Sequence, residues 1–494
     1  MVEVKLCASA PHEVAASAYV FLLPEAETSS TNVSAQALFA GVDLPAFLKA
    51  RNFEFKAGQL LVSTVPRDGE MVHVIFCGVG KDFNKKNRFV ETVRRAWGSA
   101  VNQLRSLNVK NAVCCSSSLE VPGDVLVKEL TTIAFMAAYK FDRFKKNKDE
   151  KEPWSCEITL AQRDNEEPVR EGTIIGKAIN VTRDLADMPA NIATPTFVAN
   201  YASSIAKQYG LESKVFGRDE AEKLGMGGFC AVDSGSAQPG QFVVLEYKGD
   251  SSAETIALVG KGVTFDTGGV SLKPAQFMTG MKYDMSGAAA VIGTMEAIAQ
   301  LKPKANVVGI MPLVENMPSG DACRQDDIIT FMNGKTAVIE NTDAEGRLIL
   351  ADALCYAEKN YSPSVILDAA TLTGACLYAL GPVFTGLMTK DDELCDKIFE
   401  IGSRLGDRLW PLPLDDDFKD AIKSEVADIS NCGSPKYKAG AITAGIFLSN
   451  FVEKSRWAHL DIAGTADSVP GVSYLGSGAT GVPVRLFVEF VKNM

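Results

Sequence analysis

Histidine is nearly absent from this chain: among 494 residues only His12, His73 and His459 occur, far apart. A His-Glu-x-x-His zinc helix is therefore excluded, and any hydrolytic site must work largely without imidazole. His459, in an apolar strand beside Trp457 and Leu460, reads as a core histidine with a hydrogen-bond partner rather than a ligand. Cys-x-x-Cys spacing is missing as well, and the 11 cysteines are scattered and odd in number. Several follow apolar residues, Cys77 after Phe76 and Cys355 after Leu354, where a reduced thiol behaves as a small hydrophobe. That usage fits a reducing cytosol and a cytoplasmic protein. No run of about 18 apolar residues is present to cross a membrane. The opening Met-Val-Glu-Val-Lys-Leu lacks the basic-then-apolar pattern of a signal peptide. Positive charge is also short: 50 Lys and Arg face 61 Asp and Glu, giving a net charge of −11. Such a balance draws in no polyanion, so nucleic acid is not an expected partner. The one dense basic run, Arg143 to Lys148, precedes Asp149 and Glu150 and reads as a solvated loop.

The composition, 46% hydrophobic and 22% charged, is that of an ordinary globular protein. Short apolar runs at Ala18 to Leu23, Leu60 to Val65, Val72 to Val79 and Asn111 to Cys115 alternate with helical stretches at Phe89 to Ser106 and Asp124 to Lys140. That alternation predicts an α/β domain over residues 1–160, with the charged segment Lys145 to Glu152 and Pro153 at its edge. A helix-rich connection follows from Pro168 to Tyr209, with Thr194-Pro195 as a helix start. A larger α/β domain with a mixed central sheet is expected beyond it, so that linker and catalytic domain occupy 161–494. Its strands are expected at Phe242 to Tyr247, Thr255 to Val259, Asn306 to Val314, Ser364 to Leu367 and Ala458 to Ile462. Its helices are expected at Ser286 to Gln300, Glu345 to Lys359 and Ala439 to Lys454. Asn333-Gly334 between two apolar runs predicts a tight hairpin.

The second domain is rich in carboxylates at strand ends and glycine turns. Lys261 follows a strand, Asp266 precedes Thr267-Gly268-Gly269, and Lys273 comes seven residues after Asp266. Asp284 stands before the helix opening at Ser286, and Asp343 and Glu345 lie in a loop leading into another helix. In an α/β sheet the carboxyl ends of strands converge on one crevice, where ligands bind. An oxygen-rich ligand set without histidine suits Mg, Mn or Zn. Each residue also has a structural reading. Asp284 could cap its helix and Asp266 could shape a turn. Thr342 and Glu345 have the spacing of a capping box. A phosphate loop is absent: Asn333-Gly-Lys-Thr mimics its end, but position 329 is isoleucine.

The segment Asn341-Thr-Asp-Ala-Glu-Gly-Arg-Leu348 resembles the signature of the leucine aminopeptidase (cytosol aminopeptidase) family of metallopeptidases. Val259-Gly-Lys-Gly-Val-Thr-Phe-Asp-Thr-Gly-Gly with Ser271-Leu-Lys-Pro, and Met281-Lys-Tyr-Asp-Met-Ser-Gly, are similar to that family's metal segments. Asp368-Ala-Ala-Thr-Leu-Thr-Gly-Ala and Trp457-Ala-His-Leu-Asp-Ile-Ala-Gly are similar to its pocket loops. Thr267 stands where many members have serine, and Ser286 where glycine or cysteine is common. The resemblance is dense from about residue 175 to 490.

It implies two divalent ions per subunit, Zn, Mn, Mg or Co. Lys261, Asp266, Asp284 and Glu345 would hold the tighter ion; Asp266, Asp343 (with its carbonyl) and Glu345 would hold the more exchangeable one. Lys273 would polarise the scissile carbonyl, and Arg347 would anchor a bicarbonate-like general base. Met281, Thr371, Gly374, Ala463 and Ala466 would line the pocket for the first side chain of a small peptide, with a preference for bulky apolar residues such as Leu or Met. The small Ala466 implies a roomy pocket. The assembly implied is a homohexamer. Electrostatics agrees: four carboxylates in one crevice repel one another, and paired dications remove the conflict. Two ions roughly 3.5–4 Å apart can share a bridging water as nucleophile. Rival readings are a DNA-binding architectural protein of the same family, against which the −11 charge speaks, and a two-metal phosphoesterase, which would normally recruit histidine.

Overall fold

The structure, a computed structural model, describes residues 1–25, 33–39, 42–81, 86–116, 119, 121–146, 153–161 and 163–494. It divides into two compact units, Met1–Asn180 with Gly471–Gly476, and Val181–Pro470 with Ser477–Met494. The division falls inside the helix Glu167–Asp187.

The first unit is built on a six-stranded sheet. Its order is Val2–Cys7, Cys156–Ala161, Asn111–Cys115, Ala18–Pro24, Glu70–Gly80 and Leu60–Arg67. All neighbours run parallel except the last pair, which forms an antiparallel hairpin. The four strands expected from the apolar runs are all present. Ala18–Pro24 is buried along its whole length, as an interior parallel strand must be. The expected helices are Lys86–Ser106 and Gly123–Ala138. Between them Arg94 Nε donates to Glu129 at 2.7 Å, and Trp97 Nε1 donates to the Leu130 carbonyl at 2.7 Å. Arg143 to Lys146 are exposed, as a solvated loop requires; the rest of that basic run, and the edge segment as far as Glu152, lie outside the described residues.

The second unit carries a nine-stranded mixed sheet. Its centre is four parallel strands in the order Arg456–Asp461, Val365–Ala370, Thr255–Gly260 and Asn306–Asn316. Antiparallel strands flank them, Gln241–Lys248 beside Asn306–Asn316 and Thr385–Met388 beside Arg456–Asp461. These central strands are almost wholly apolar and are buried on both faces. The helix Ser286–Leu301 is buried around nearly its full circumference, whereas Gly346–Tyr361 has a buried first three turns. Because the four strands are parallel, their carboxyl ends meet at one edge.

Thr194 caps its helix by accepting from Phe197 N at 3.3 Å, as expected. The Asn333-Gly334 hairpin forms between Ile328–Thr330 and Thr336–Val338. Its loop is longer than a two-residue turn: Gly334 takes φ 87°, and the Asn333 side chain accepts from Lys335 N at 3.1 Å. The helix expected over Ala439 to Lys454 ends at Leu448. Ser449 Oγ and Asn450 Nδ2 both donate to the Ile446 carbonyl, at 2.8 Å each, and the chain tightens into a single 3₁₀ turn.

Candidate active site

The acidic residues reach one place from several elements: Asp266 ends the short strand Gly262–Asp266, Asp284 lies in the 3₁₀ turn Met281–Met285, and Asp343 and Glu345 precede the helix Gly346–Tyr361. The strand Thr255–Gly260 ends, and Lys261 N donates to the Ala369 carbonyl of the neighbouring strand at 3.1 Å. The chain then continues as Gly262–Asp266 alongside Asn306–Asn316, which pairs Asp266 with Asn316. Asp266 Oδ1 accepts from Gly268 N and from Asn316 Nδ2, both at 2.8 Å. Its turn-shaping role is therefore real, but only one oxygen serves it. Gly268 turns the chain at φ 87°, and a Cβ there would lie 2.7 Å from Asp343 Oδ1. The turn thus excludes a side chain twice over.

Lys261 Nζ lies 2.8 Å from Asp284 and 2.8 Å from Glu345, and donates to the Thr371 carbonyl at 3.0 Å. Gly346 makes room for it, since a Cβ there would stand 2.5 Å from Lys261 Cε. Lys273 Nζ bridges Asp266 at 2.7 Å and Asp343 at 2.5 Å. Asp266, Asp343 and Glu345 each present an oxygen within 4.8 Å of the others. Four carboxylates thus share two ammonium groups, and all but Asp343 are buried. Asp284 Oδ2, Asp343 Oδ1 and Glu345 Oε1 are held by ion pairing without a well-directed hydrogen bond. Buried oxygens of this kind, in an oxygen-dominated set with one amine, are the donors that divalent cations require.

The charges reflect the crowding. Burial raises the pKa of Asp284 well above the ordinary carboxylate value, with Glu345 and Asp266 adding to the rise against Lys261. Burial and then Asp266 also raise the pKa of Glu345 and of Asp343. Burial opposes the charge on Lys261, but Asp284, Glu345 and Asp266 outweigh it and push its pKa up. For Lys273, too, burial is overcome, chiefly by Asp266.

The capping alternatives fail at two positions. Asp284 does not cap the helix at Ser286, whose N-cap is Met285 without a side-chain bond. The Thr342–Glu345 capping box does not form, because the helix begins only at Gly346. Thr342 Oγ1 instead donates to the Gly268 carbonyl at 2.6 Å and accepts from Ser271 N at 2.8 Å.

Arg347 lies in the first turn of Gly346–Tyr361 and is buried. Its Nη1 donates to the Asn431 carbonyl at 2.7 Å, and its Nε has no partner among the described residues. Burial lowers its pKa, and an anion beside the free Nε would answer that desolvation. Thr371 Oγ1 donates to Asp284 at 2.7 Å. Thr371 and Gly374 follow the strand ending at Ala370; Ala463 and Ala466 follow the adjacent strand ending at Asp461. Met281 opens a 3₁₀ turn leading to Asp284. Ala466 is buried, Met281, Thr371 and Ala463 are half-buried, and Gly374 is exposed. His459 is fully buried, with Nδ1 at 2.5 Å from Asp368, a core histidine with a hydrogen-bond partner as expected, while its Nε2 finds no partner among the described residues.

Two residues escaped the sequence reading. Asn316 holds both Asp266 and the Thr342 carbonyl, the latter at 3.0 Å; two polar residues closing an apolar strand were its only signal. Asn431 accepts from Glu340 N at 2.8 Å, donates to the Asn341 carbonyl at 2.7 Å and supplies the carbonyl for Arg347. Nothing in its local sequence announces this.

A lysine, three aspartates and a glutamate gather at the carboxyl edge of a mixed α/β sheet, a donor set of the kind that divalent cations take in metal-dependent hydrolases. The cytosol aminopeptidase family's catalytic-domain pattern matches residues 180–488 and its N-terminal-domain pattern matches 19–148. Similar proteins include a probable cytosol aminopeptidase of Persephonella marina, 40% identical over 452 residues and covering 90% of each chain. Another, from Nitrosomonas eutropha, is 44% identical over 443 residues and covers 87% of each. Among solved structures, a tomato leucine aminopeptidase with one lysine-to-glutamate substitution superposes with TM-score 0.88 at 28% identity, covering 100% of this chain and 97% of its own. A bottromycin maturation enzyme in complex with Mn gives TM-score 0.84 at 31% identity, covering 97% and 99%. The chain belongs to the cytosol aminopeptidase family and is a metal-dependent peptidase.

Proposed function

We propose that this chain is a two-metal leucyl-type aminopeptidase, removing the first residue of small peptides and favouring bulky apolar side chains such as Leu or Met. The observation that carries the reading is the mutual approach of Asp266, Asp343 and Glu345 within 4.8 Å, with Lys261 and Asp284 against them. Lys261, Asp266, Asp284 and Glu345 would hold one divalent ion. Asp266, Asp343 with its carbonyl, and Glu345 would hold the other, drawn from Zn, Mn, Mg or Co. Asp343 is the open member, its side chain 32% exposed against 2% for Glu345, which suits the more exchangeable position. Such ions, when bound, acidify water for attack and polarise the scissile carbonyl.

Lys261 can ligate only as a neutral amine, so the surrounding acids must cease to hold its proton. Lys273, whose ammonium lies between Asp266 and Asp343, donates to the oxygen that becomes negative as the carbonyl is attacked. Arg347 binds a bicarbonate-like anion through its free Nε. Held there, such an anion would supply a general base able to accept a proton and pass it to the departing amine, so that no side-chain base is needed. Met281, Thr371, Gly374, Ala463 and Ala466 form the pocket for the first side chain. A one-methylene difference there changes binding by only about 1–3 kcal/mol, so the preference is broad. The same reading places the enzyme in the cytoplasm as a homohexamer, which sedimentation mass checks directly.

Leu-p-nitroanilide and p-nitrophenyl phosphate, assayed side by side with Mn or Zn, test the reaction. Hydrolysis of the anilide alone is expected; phosphatase activity alone would overturn the reading. Arg347→Ala should slow anilide hydrolysis by about 10²-fold or less. Added bicarbonate should restore part of the rate to the variant, and a rate indifferent to bicarbonate in both enzymes contradicts the assignment.

A further inference from the structure

The strands Val365–Ala370 and Arg456–Asp461 run parallel with Ala370 opposite Asp461, so the two loops that follow leave the sheet side by side. One loop carries Thr371 and Gly374, the other Ala463 and Ala466. Asp461 sits where they part and is fully buried. Its Oδ1 accepts from Leu372 N at 3.2 Å on the first loop and from Ala463 N at 3.1 Å on the second. Its Oδ2 accepts from Thr373 Oγ1 at 2.7 Å. The same Thr373 hydroxyl accepts from Cys376 N at 3.0 Å and so caps the helix Gly374–Leu380. One carboxylate therefore ties both loops and a helix start together.

A buried carboxylate is an expensive way to join two loops unless its donors are fixed. Among the described residues no lysine or arginine forms an ion pair with Asp461; its charge is met by two amides and a hydroxyl, with His459 and Arg347 close enough to interact with it. Burial pushes its carboxyl up from the ordinary value, opposed by His459 and by these donors. Each donor comes from a loop backbone or from a residue next to a pocket position. Moving either loop would strand a buried oxygen, so the carboxylate resists changes in loop separation.

We propose that Asp461 is a specificity-positioning residue, which sets the spacing between the 371–374 and 463–466 loops and so the size of first side chain the enzyme accepts. The inference rests on the aminopeptidase reading and adds to it a residue that touches neither substrate nor the acidic cluster.

The test uses the full-length, metal-loaded enzyme and p-nitroanilides of Ala, Leu, Met and Phe, with melting temperature and metal content measured on the same samples. Asp461→Ala should change the Leu-to-Ala ratio of kcat/KM by about tenfold or more. The change should appear mainly in KM for the bulky substrates, with metal content unchanged. Thr373→Val, which at constant volume removes the donor to Asp461 together with the cap on Cys376 N, should shift the ratio in the same direction and serves if the alanine variant does not fold. Asp461→Asn keeps an acceptor for both amides and offers an NH2 to Thr373, so it should stay near the wild-type profile. Lowered melting temperature with unchanged ratios in both Asp461→Ala and Thr373→Val, or in Thr373→Val alone if the other fails to fold, would make the residue a loop staple only and overturn the proposal. A wild type that cleaves none of the anilides would instead sink the peptidase reading, and this inference with it.

Discussion

Lys273→Ala should lower kcat for Leu-p-nitroanilide by roughly 10²–10³-fold, the usual loss for one oxyanion donor. KM should change far less, because the lysine's work falls on charge that develops only during attack. The fold should persist. Lys273 anchors no strand; it bridges Asp266 and Asp343 at the cluster's mouth, and cations in the site relieve those acids when it is gone. Melting temperature measured with Mn present checks that point. Lys273→Arg should not rescue, since a planar fork replaces a compact ammonium between two fixed oxygens. Retention of wild-type kcat in the alanine variant would remove Lys273 from the chemistry.

Glu345→Gln should have a comparable effect by a different route. The side chain is 2% exposed and sits 2.8 Å from Lys261, and the amide keeps its volume while removing one negative charge shared by the whole cluster. Metal bound after dialysis should fall below two ions per chain. Its affinity should drop by at least about 10–100-fold, the loss seen when even an outer partner of a metal ligand is removed. Peptidase activity should fall with it and recover only in part at high Mn. A variant that holds two ions and keeps full activity contradicts the shared-ligand role.

Much of this molecule can be read from its sequence because its chemistry lies next to strong local signals. Lys261, Asp266 and Asp284 follow or precede apolar strands and glycine turns, and Asp343 and Glu345 lie in one eight-residue signature. Asn431 gave no sign of its role, and Asp461 stood inside a pocket-loop segment with nothing to show which groups it ties together. Asn431 reaches Arg347 across 84 positions and Asn341 across 90, and Asp461 reaches Thr373 across 88. Those contacts come from strand pairing, which brings Ser430 beside Val338 and Asp461 beside Ala370. No spacing within a single segment encodes them. The capping-box alternative for Thr342 fails for a related reason: a plausible local cap loses to a tertiary bond with the Gly268 carbonyl, 74 positions away. The helix overrun past Leu448 has the opposite origin, since two polar side chains captured a carbonyl that apolar periodicity had promised to the next turn.

The central claim is that the crowded acids tolerate one another because a pair of divalent cations belongs among them. Metal content per chain, measured with Leu-p-nitroanilide activity before chelation, after chelation and after Mn or Zn is returned, tests it most directly. Two ions per chain, loss of activity as they leave and its return as they are restored are the predicted result. Full activity in chelated protein carrying no metal would contradict it.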